Sequence, residues 1–162
     1  MKISLIFLFL LLTLNANNNT TTVKKWEVNK TALPKRDIVY NLDLTKYPKF
    51  LCEAKLKNGK IVQFPSVKAM MQVYFHQDYF LKHKLIDAKI DTMYVKDYLD
   101  GTKIEAQKAL YMFGSRLVGP HGDDLIPLKN QQNAELFKLK YGGTKLLPFN
   151  KLSKGLIKYL DM

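Results

Sequence analysis

The fold is decided by residues 52–75, which read CEAKLKNGKIVQFPSVKAMMQVYF. Residues 52–56 alternate in the manner of a strand, and Asn58-Gly59 is a strong signal for a two-residue hairpin loop. Residues 61–64 then supply the return strand. The segment is therefore predicted to begin as a β-hairpin.

A helix is predicted directly after the hairpin. Ser66, which follows Pro65, is a typical N-cap residue. Apolar residues recur at i, i+3, i+4 and i+7, which places them on one face of a helix: Val67, Met70, Met71 and Tyr74. We expect this helix to run to about Phe80 and residues 89–98, which alternate, to form a third strand. The first unit is thus predicted to be ββαβ.

The second half of the chain repeats this order of elements. The predicted elements are strands over 109–113 and 125–128 around a long turn, a helix from about Asn130 through Lys140, a strand over 144–149 and a helix over 153–160. Gly142-Gly143 provides the stop expected at a helix C-terminus. The sequence therefore predicts an α+β fold of two similar ββαβ units, about 50–98 and 109–150, packed together as one domain with a C-terminal helix.

Each predicted unit is too small to bury much of a core by itself. We therefore expect the main core to lie between the units. The expected contacts join three residues of the first unit to three of the second: Phe64, Met70 and Tyr74 with Met112, Phe137 and Leu146.

The first 16 residues are typical of a secretory signal. Met1-Lys2 is a short positive start, and the unbroken apolar run over 5–12 is shorter than the roughly 20 residues that a membrane-spanning helix needs. We expect a signal peptide over 1–16, a flexible spacer and lead-in over 17–36, and a folded domain over 37–162. An uncleaved N-terminal anchor is the alternative. No cysteine precedes Cys52, which argues against a lipoprotein.

The charge composition bears on the kind of partner that the protein binds. The chain carries 26 Lys and Arg against 14 Asp and Glu, a net charge of +12. Only two of these residues are arginine and no basic run exceeds two, whereas nucleic-acid-binding proteins cluster their basic residues. The charge predicts a solvated lysine-rich surface and no nucleic-acid partner, and it leaves peripheral contact with an anionic membrane or an acidic protein open.

The residue inventory also excludes several kinds of site. A single cysteine rules out an intrachain disulfide and zinc sites built on two or more cysteines. The sequence contains no Gly-x-Ser-x-Gly, His-Glu-x-x-His, phosphate-loop or dinucleotide-binding glycine pattern. We therefore do not expect an enzyme.

Several short motifs, taken in order, resemble the NosL family. They are KYPKF at 46–50, KNGK at 57–60, VKAMM at 67–71, YVKDY at 94–98, GPHG at 119–122, LIP at 125–127, AELF at 134–137 and the pair Gly142-Gly143. The resemblance implies a periplasmic, copper-binding accessory protein that acts as a metallochaperone and not as an enzyme. Its implied cargo is copper, as Cu(I), and its implied partner is nitrous oxide reductase or the copper-delivery machinery of that enzyme. The family fold of two ββαβ units agrees with the prediction above.

The chain departs from the family at its sulfur ligands. The family's Cys-x-x-Cys-Gly-Met-like segment corresponds here to residues 37–42, DIVYNL, which contain neither cysteine nor methionine. The family's Gly-Pro-Met-Gly turn reads GPHG here, so His121 stands in place of the methionine. Cu(I) prefers thiolate and thioether donors, while imidazole binds copper and also zinc and nickel.

Four residues are candidate metal ligands: His121, Cys52, Met93 and Met112. Each has a structural alternative, since His121 could be an exposed turn residue and the other three could be core residues of strands. His76 and His83 lie about 10 Å apart if one helix carries both, too far for a single ion. A useful site needs at least two donors close together.

The loss of the sulfur motif also favours a second hypothesis. The chain would then be a ligand-poor interaction module with a NosL-like fold. An aromatic surface around Tyr74, Tyr94 and Tyr111 would bind a protein partner, or an apolar ligand would occupy the space between the units.

Overall fold

The computed structural model describes residues 36–162, so the predicted signal peptide and nearly all of the spacer lie outside the described residues. The strands are β1 (Cys52–Leu56), β2 (Ile61–Phe64), β3 (Ile90–Lys96), β4 (Lys103–Glu105), β5 (Leu110–Phe113), β6 (Ile126–Leu128) and β7 (Lys145–Pro148). The helices are α1 (Val67–Phe75), α2 (Gln77–Lys82), α3 (Gln131–Tyr141) and α4 (Lys154–Leu160). No helix within residues 36–162 is long and apolar enough to span a bilayer.

The strands form two antiparallel sheets with the same internal topology. The first sheet has the order β2-β1-β3-β4 and the second has the order β6-β5-β7. In each unit the first strand is central, with its hairpin partner on one side and the strand that follows the helix on the other. The predicted α+β fold of two ββαβ units with a C-terminal helix is confirmed. Strand β4, which extends the edge of the first sheet, was not predicted.

Local signals begin the helices where the sequence predicted. The side chains of Ser66, Asn130 and Ser153 accept hydrogen bonds from the backbone N–H groups three residues later, at the starts of α1, α3 and α4. Gly142 ends α3 with a φ of 72°, in the left-handed region that favours glycine.

The first helix is shorter than predicted. The expectation of one helix to about Phe80 was wrong, because His76 leaves the helical region with φ of −124° and ψ of 32° and separates α1 from α2. Gln77 holds this break: its side chain donates to the carbonyl of Tyr74 (3.2 Å) and accepts from the backbone N–H of Ile90 (2.7 Å). The change of direction lets Phe80 join the core.

Two separate cores replace the single one that was predicted. The larger core contains Phe64, Met70 and the partly buried Tyr74, whereas Met112, Phe137 and Leu146 belong to a smaller core under α3. The predicted contacts between these two sets were therefore wrong.

The second sheet separates the cores because neighbouring strand residues face opposite ways. Tyr111 faces the larger core and Met112 the smaller one, and Leu125 and Ile126 divide in the same way. The larger core therefore contains residues of both units: α1 and the first sheet pack against Tyr111, Leu125 and the inner face of α4.

Candidate metal site

The four predicted ligands lie in three different environments. Cys52 and Met93 are in the larger core, 0% and 1% exposed, and Met112 is in the smaller core at 2%. Ala54 pairs with Met93 across the first sheet, so Cys52 and Met93 share its buried face. The side chain of His121, in contrast, is half exposed on a surface turn.

The buried sulfur groups are held by ordinary packing. The Cys52 thiol donates to the carbonyl of Phe50 at 3.3 Å, and burial, together with the charges of Asp124 and Glu53, raises the pKa of Cys52. The Met112 thioether lies against Gly143, where any Cβ would overlap the sulfur atom. Gly143 therefore makes room for Met112.

The four residues do not form one cluster. Within residues 36–162, no group of three or more His, Cys, Asp or Glu side chains is placed to hold one metal ion. The assignment of His121, Cys52, Met93 and Met112 as ligands stays a prediction. Tyr111 is fully buried and donates a hydrogen bond to the carbonyl of Ala106, so its place in an aromatic surface was predicted wrongly.

His121 is held by two residues that sequence reasoning did not identify. The ring of Tyr40 stacks on the imidazole, with centroids 4.0 Å apart and an interplanar angle of 8°. The Nδ1 atom of His121 lies 3.7 Å from Oδ1 of Asp161, and the Tyr40 hydroxyl donates to the same oxygen at 2.7 Å. Burial, and then the bond to Asp161, raises the pKa of Tyr40.

Tyr40 comes from the segment that matches the family's sulfur motif. The buried carboxylate of Asp37 orders this segment, because it accepts hydrogen bonds from the backbone N–H groups of Val39, Tyr40 and Leu42 at 2.6–2.9 Å. Residues 37–42 therefore lie directly against the GPHG turn. The sequence contained one signal for this contact, since both segments match motifs that carry sulfur ligands in the family and the ligands of one ion lie close together.

A buried lysine fixes the turn and the end of α4 to α1. The Lys68 side chain is 1% exposed, and its ammonium group donates to the carbonyls of His121 (2.5 Å) and Leu160 (2.8 Å). The same ammonium lies 3.4 Å from Oδ1 of Asp161. Lys68 thus supports the backbone beneath the histidine and partly neutralises the neighbouring carboxylate.

These residues border an open cleft of about 380 Å³. Its lining includes His121, Asp123, Asp161 and Met162, and Met162 is 90% exposed. The cleft thus offers an imidazole, two carboxylates and a thioether, and the orientation of His121 toward Asp161 leaves its Nε2 for a metal ion. The thioether of Met162 was not among the predicted ligands.

Comparison with known proteins identifies a family and similar solved structures. The NosL family model matches residues 37–157. The crystal structure of the copper chaperone NosL from Shewanella denitrificans is 21% identical, with a TM-score of 0.61 over 82% of this chain and 98% of that one. The solution structure of apo-NosL from Achromobacter cycloclastes is also 21% identical, with a TM-score of 0.46 over 65% and 87% of the two chains. No curated protein sequence matches significantly.

The family match and the likeness in fold cover the same region. The family model spans most of the chain, from the segment that carries Tyr40 to α4. At 21% identity the Shewanella structure supports the fold alone. On the family match, this chain belongs to the NosL family.

Proposed function

We propose that this protein is a periplasmic copper carrier of the NosL type that holds Cu(I) in the cleft at His121 and passes it to a partner. The Shewanella relative is described as a copper chaperone, and the family match extends that role to this chain as a hypothesis. The observation that carries the proposal is the placement of His121, with its ring stacked on Tyr40 and its Nδ1 facing Asp161.

This placement suits a metal-binding histidine. A neutral imidazole binds a metal through one ring nitrogen, and a carboxylate at the other nitrogen fixes its tautomer and orientation. Asp161 stands at the Nδ1 side, so the tautomer that it favours carries its proton on Nδ1 and leaves the lone pair of Nε2 for the metal.

The second donor is the thioether of Met162. This side chain lines the same cleft and is soft, which suits Cu(I) better than another oxygen would. The carboxylates of Asp123 and Asp161 outnumber the one ammonium group of Lys68, so the cleft does not repel a cation. Two protein donors leave a coordination position open, which makes transfer to another protein easier.

The partner is proposed from the family and from the charge. The family resemblance points to nitrous oxide reductase or its copper-delivery machinery. A net charge of +12 would speed docking on an acidic surface of that partner or on an anionic membrane.

A titration of metal-free protein with Cu(I) against a competing Cu(I) chelator tests the proposal. We expect His121→Ala and Met162→Ala each to weaken the affinity at least about tenfold. The matched control is His83→Ala, since His83 is an exposed histidine on the other side of the helix break. An affinity weaker than about 1 μM, or one that His121→Ala leaves unchanged, would overturn the proposal.

The interaction module remains the second candidate because of a different surface. An open cleft of about 570 Å³ on the first sheet is lined by Ile61, Tyr94 and Lys103, and Ile61 is 53% exposed. This cleft could receive a protein partner. If the protein does not bind Cu(I) and Ile61→Lys abolishes capture of a partner from a periplasmic extract, the module is the better explanation.

A further inference from the structure

The outer face of α3 carries exposed apolar side chains, where a surface helix usually carries polar ones. On its inner face, Ala134 and Phe137 are buried in the smaller core. On the opposite face, Leu139 is 82% exposed and Leu136 is 53% exposed. These two leucines are three residues apart and therefore neighbours on the helix surface. Together they form a small apolar patch, which we call the α3 patch.

Basic side chains surround the α3 patch. Lys138 and Lys140 precede and follow Leu139, and all three residues are exposed. Because successive helical residues are turned by about 100°, the two lysines lie on either side of the leucine. Arg116 adds a third cation at the helix end, where its guanidinium group donates to the carbonyl of Lys140 at 3.2 Å.

A fourth cation borders the patch from the second sheet. Lys145, at the start of β7, lines a recess of about 160 Å³ together with Lys138 and Glu135. Glu135 is the one acidic residue of α3, and its carboxylate accepts a hydrogen bond from the Gln131 side chain at 3.2 Å. Four cations and one carboxylate thus lie around the α3 patch.

Other side chains do not neutralise these cations. Within residues 36–162, none of the four forms an ion pair with a carboxylate. The ammonium group of Lys140 lies 5.2 Å from the centroid of the Tyr141 ring, which leaves its charge uncompensated. The net charge of the whole chain, +12, adds to the attraction for an anionic surface.

We propose that the outer face of α3 binds the surface of an anionic lipid bilayer. Leu136 and Leu139 enter the apolar layer, and the four basic side chains contact the headgroup phosphates. Leucines on one helix face with lysines beside them are typical of helices that lie in a membrane interface. Long basic side chains can extend from the apolar boundary to the headgroups. With only two leucines to insert, the binding should be reversible.

Two other occupants fit this face less well. A second copy of the chain would bring like charges together, and two leucines supply little of the roughly 800 Å² per partner that a stable interface buries. An acidic protein would match the charge, but protein interfaces are depleted in lysine and need a pocket for each protruding side chain. A bilayer accepts a protruding leucine without a shaped pocket.

Membrane binding through α3 would leave the copper cleft unobstructed. Met112 and Ile126 pack under α3 on one face of the second sheet, whereas Tyr111 packs in the larger core with α4 on the other face. The cleft lies at the end of α4. The membrane proposal goes beyond the copper proposal and does not depend on it.

A fluorescent reporter beside the α3 patch tests the contact in the full chain. Gln132→Cys, on the outer face of α3, accepts an environment-sensitive thiol dye, while Cys52 is 0% exposed. We expect the dye emission to rise with vesicles of equal parts phosphatidylglycerol and phosphatidylcholine, and not with phosphatidylcholine alone. The matched control is the dye on Asp91→Cys in β3, which should not respond.

Charge variants of the dye-labelled chain separate the patch from the overall charge. Lys138→Glu combined with Lys140→Glu should weaken the affinity for the anionic vesicles at least about tenfold. The matched control combines Lys55→Glu with Lys57→Glu, two exposed lysines of the first hairpin. This control lowers the net charge by the same amount and should bind nearly as well as the wild type.

Removal of the leucines tests the apolar contact. Leu136→Ala combined with Leu139→Ala should fold normally, because both side chains are exposed, and should weaken vesicle binding at least about tenfold. Three results would overturn the proposal: no response to anionic vesicles, equal weakening by both lysine pairs, or binding to poly-glutamate but not to vesicles. The last would assign the face to an acidic protein. These measurements contain no copper, so their failure is distinguishable from failure of the copper proposal.

Discussion

The imidazole of His121 lies parallel to the phenol ring of Tyr40, 4.0 Å between centroids. Tyr40 belongs to residues 37–42 and His121 to the GPHG turn, the two segments that match the sulfur-bearing motifs of the family. The fold therefore keeps these segments in contact, although neither contains sulfur here. The side chains that contact the His121 ring are instead an aromatic one, Tyr40, and a carboxylate, Asp161.

The stack between Tyr40 and His121 should matter for copper affinity. Tyr40→Ala removes both the ring and the hydroxyl bond to Asp161, so we expect Cu(I) affinity to fall about tenfold or more. Tyr40→Phe keeps the ring and should lose less. Nitrogen NMR shifts of the His121 ring report its tautomer and separate reorientation from unfolding. Equal affinities for the wild type and Tyr40→Ala would show that the stack does not position the ligand.

Lys68 should contribute strongly to stability. Lys68→Met leaves the carbonyls of His121 and Leu160 without their donor and the charge of Asp161 less compensated. Loss of one partner of a buried charged network costs about 3–5 kcal/mol. Urea unfolding measures the change. Lys108→Met is the control, since the Lys108 side chain is 75% exposed and its substitution should change stability little.

Asp124 gives metal-free protein a distinctive pH dependence. Burial raises the pKa of Asp124 from 3.8 to about 6, and the Ser66 hydroxyl and the amides of Lys68 and Leu125 offset this only in part. The folded state therefore binds the proton more tightly than the unfolded state. The contribution of Asp124 to stability is full below pH 4 and declines by about 3 kcal/mol as the pH rises through 6.

Comparison with Asp124→Asn isolates this effect. Asp100 works in the opposite direction: burial raises its pKa, but the hydrogen bonds from Lys129 and Thr102 outweigh burial and lower the pKa to about 2. The pH profile of the wild type alone is therefore ambiguous. Between pH 4 and pH 7, the unfolding free energy of the wild type should fall relative to that of Asp124→Asn. A difference that stays constant over this range would contradict the raised pKa.

The smaller core should depend on Phe137. This residue is 0% exposed and packs against Tyr98 and Tyr141, with ring centroids 5.7 Å and 4.8 Å away. Phe137→Ala should lower the unfolding free energy by about 3–5 kcal/mol. Leu136→Ala is the matched control on the same helix, since Leu136 is 53% exposed and should change stability little. Similar losses in both variants would show that the burial of Phe137 does not account for the destabilisation, since alanine itself favours the helix.

Cys52 should be inert in the folded protein. Because burial raises its pKa and leaves it 0% exposed, the thiol is neither ionised at neutral pH nor accessible. We expect a thiol-specific disulfide reagent to label it at least about 100-fold more slowly in buffer than in urea. Rapid labelling in buffer would mean that β1 separates from its neighbours often enough to expose the thiol, and Cys52 could then bind copper.

The parts of the fold that the sequence predicted are those with local causes. The hairpin at Asn58-Gly59, the N-cap Ser66 and the helix starts near Asn130 and Ser153 depend on neighbouring residues, and each was located correctly. The predicted two-residue loop was wrong: the Leu56 N–H donates to the Lys60 carbonyl at 2.8 Å, so the loop spans residues 57–59 with Gly59 in the left-handed region. The break at His76 was missed because Gln77 holds it through a bond to Ile90, 13 residues away. The division into two cores depends on what packs against each face of the second sheet. The residue pattern of one strand shows that it has two apolar faces but not which elements cover them.

The candidate site was predicted less completely because most of its residues are far apart in the sequence. His121 could be identified because it replaces a residue within a recognisable turn. Tyr40 and Asp161 are joined by a hydrogen bond across 121 residues of chain, and no spacing rule connects them. Met162 lies beyond the last matched motif, and only the docking of α4 against α1 brings it to the cleft.

The ammonium of Lys68 holds the GPHG turn and the last turn of α4 at once. The two rims of the cleft are therefore coupled mechanically, and a displacement of α4 would move the histidine turn as well. If a receiving protein binds the exposed face of α4, where Tyr159 is 58% exposed, and displaces this helix, the proposed ligand His121 would move with it. Such docking could trigger release of the ion without any competition between donor atoms.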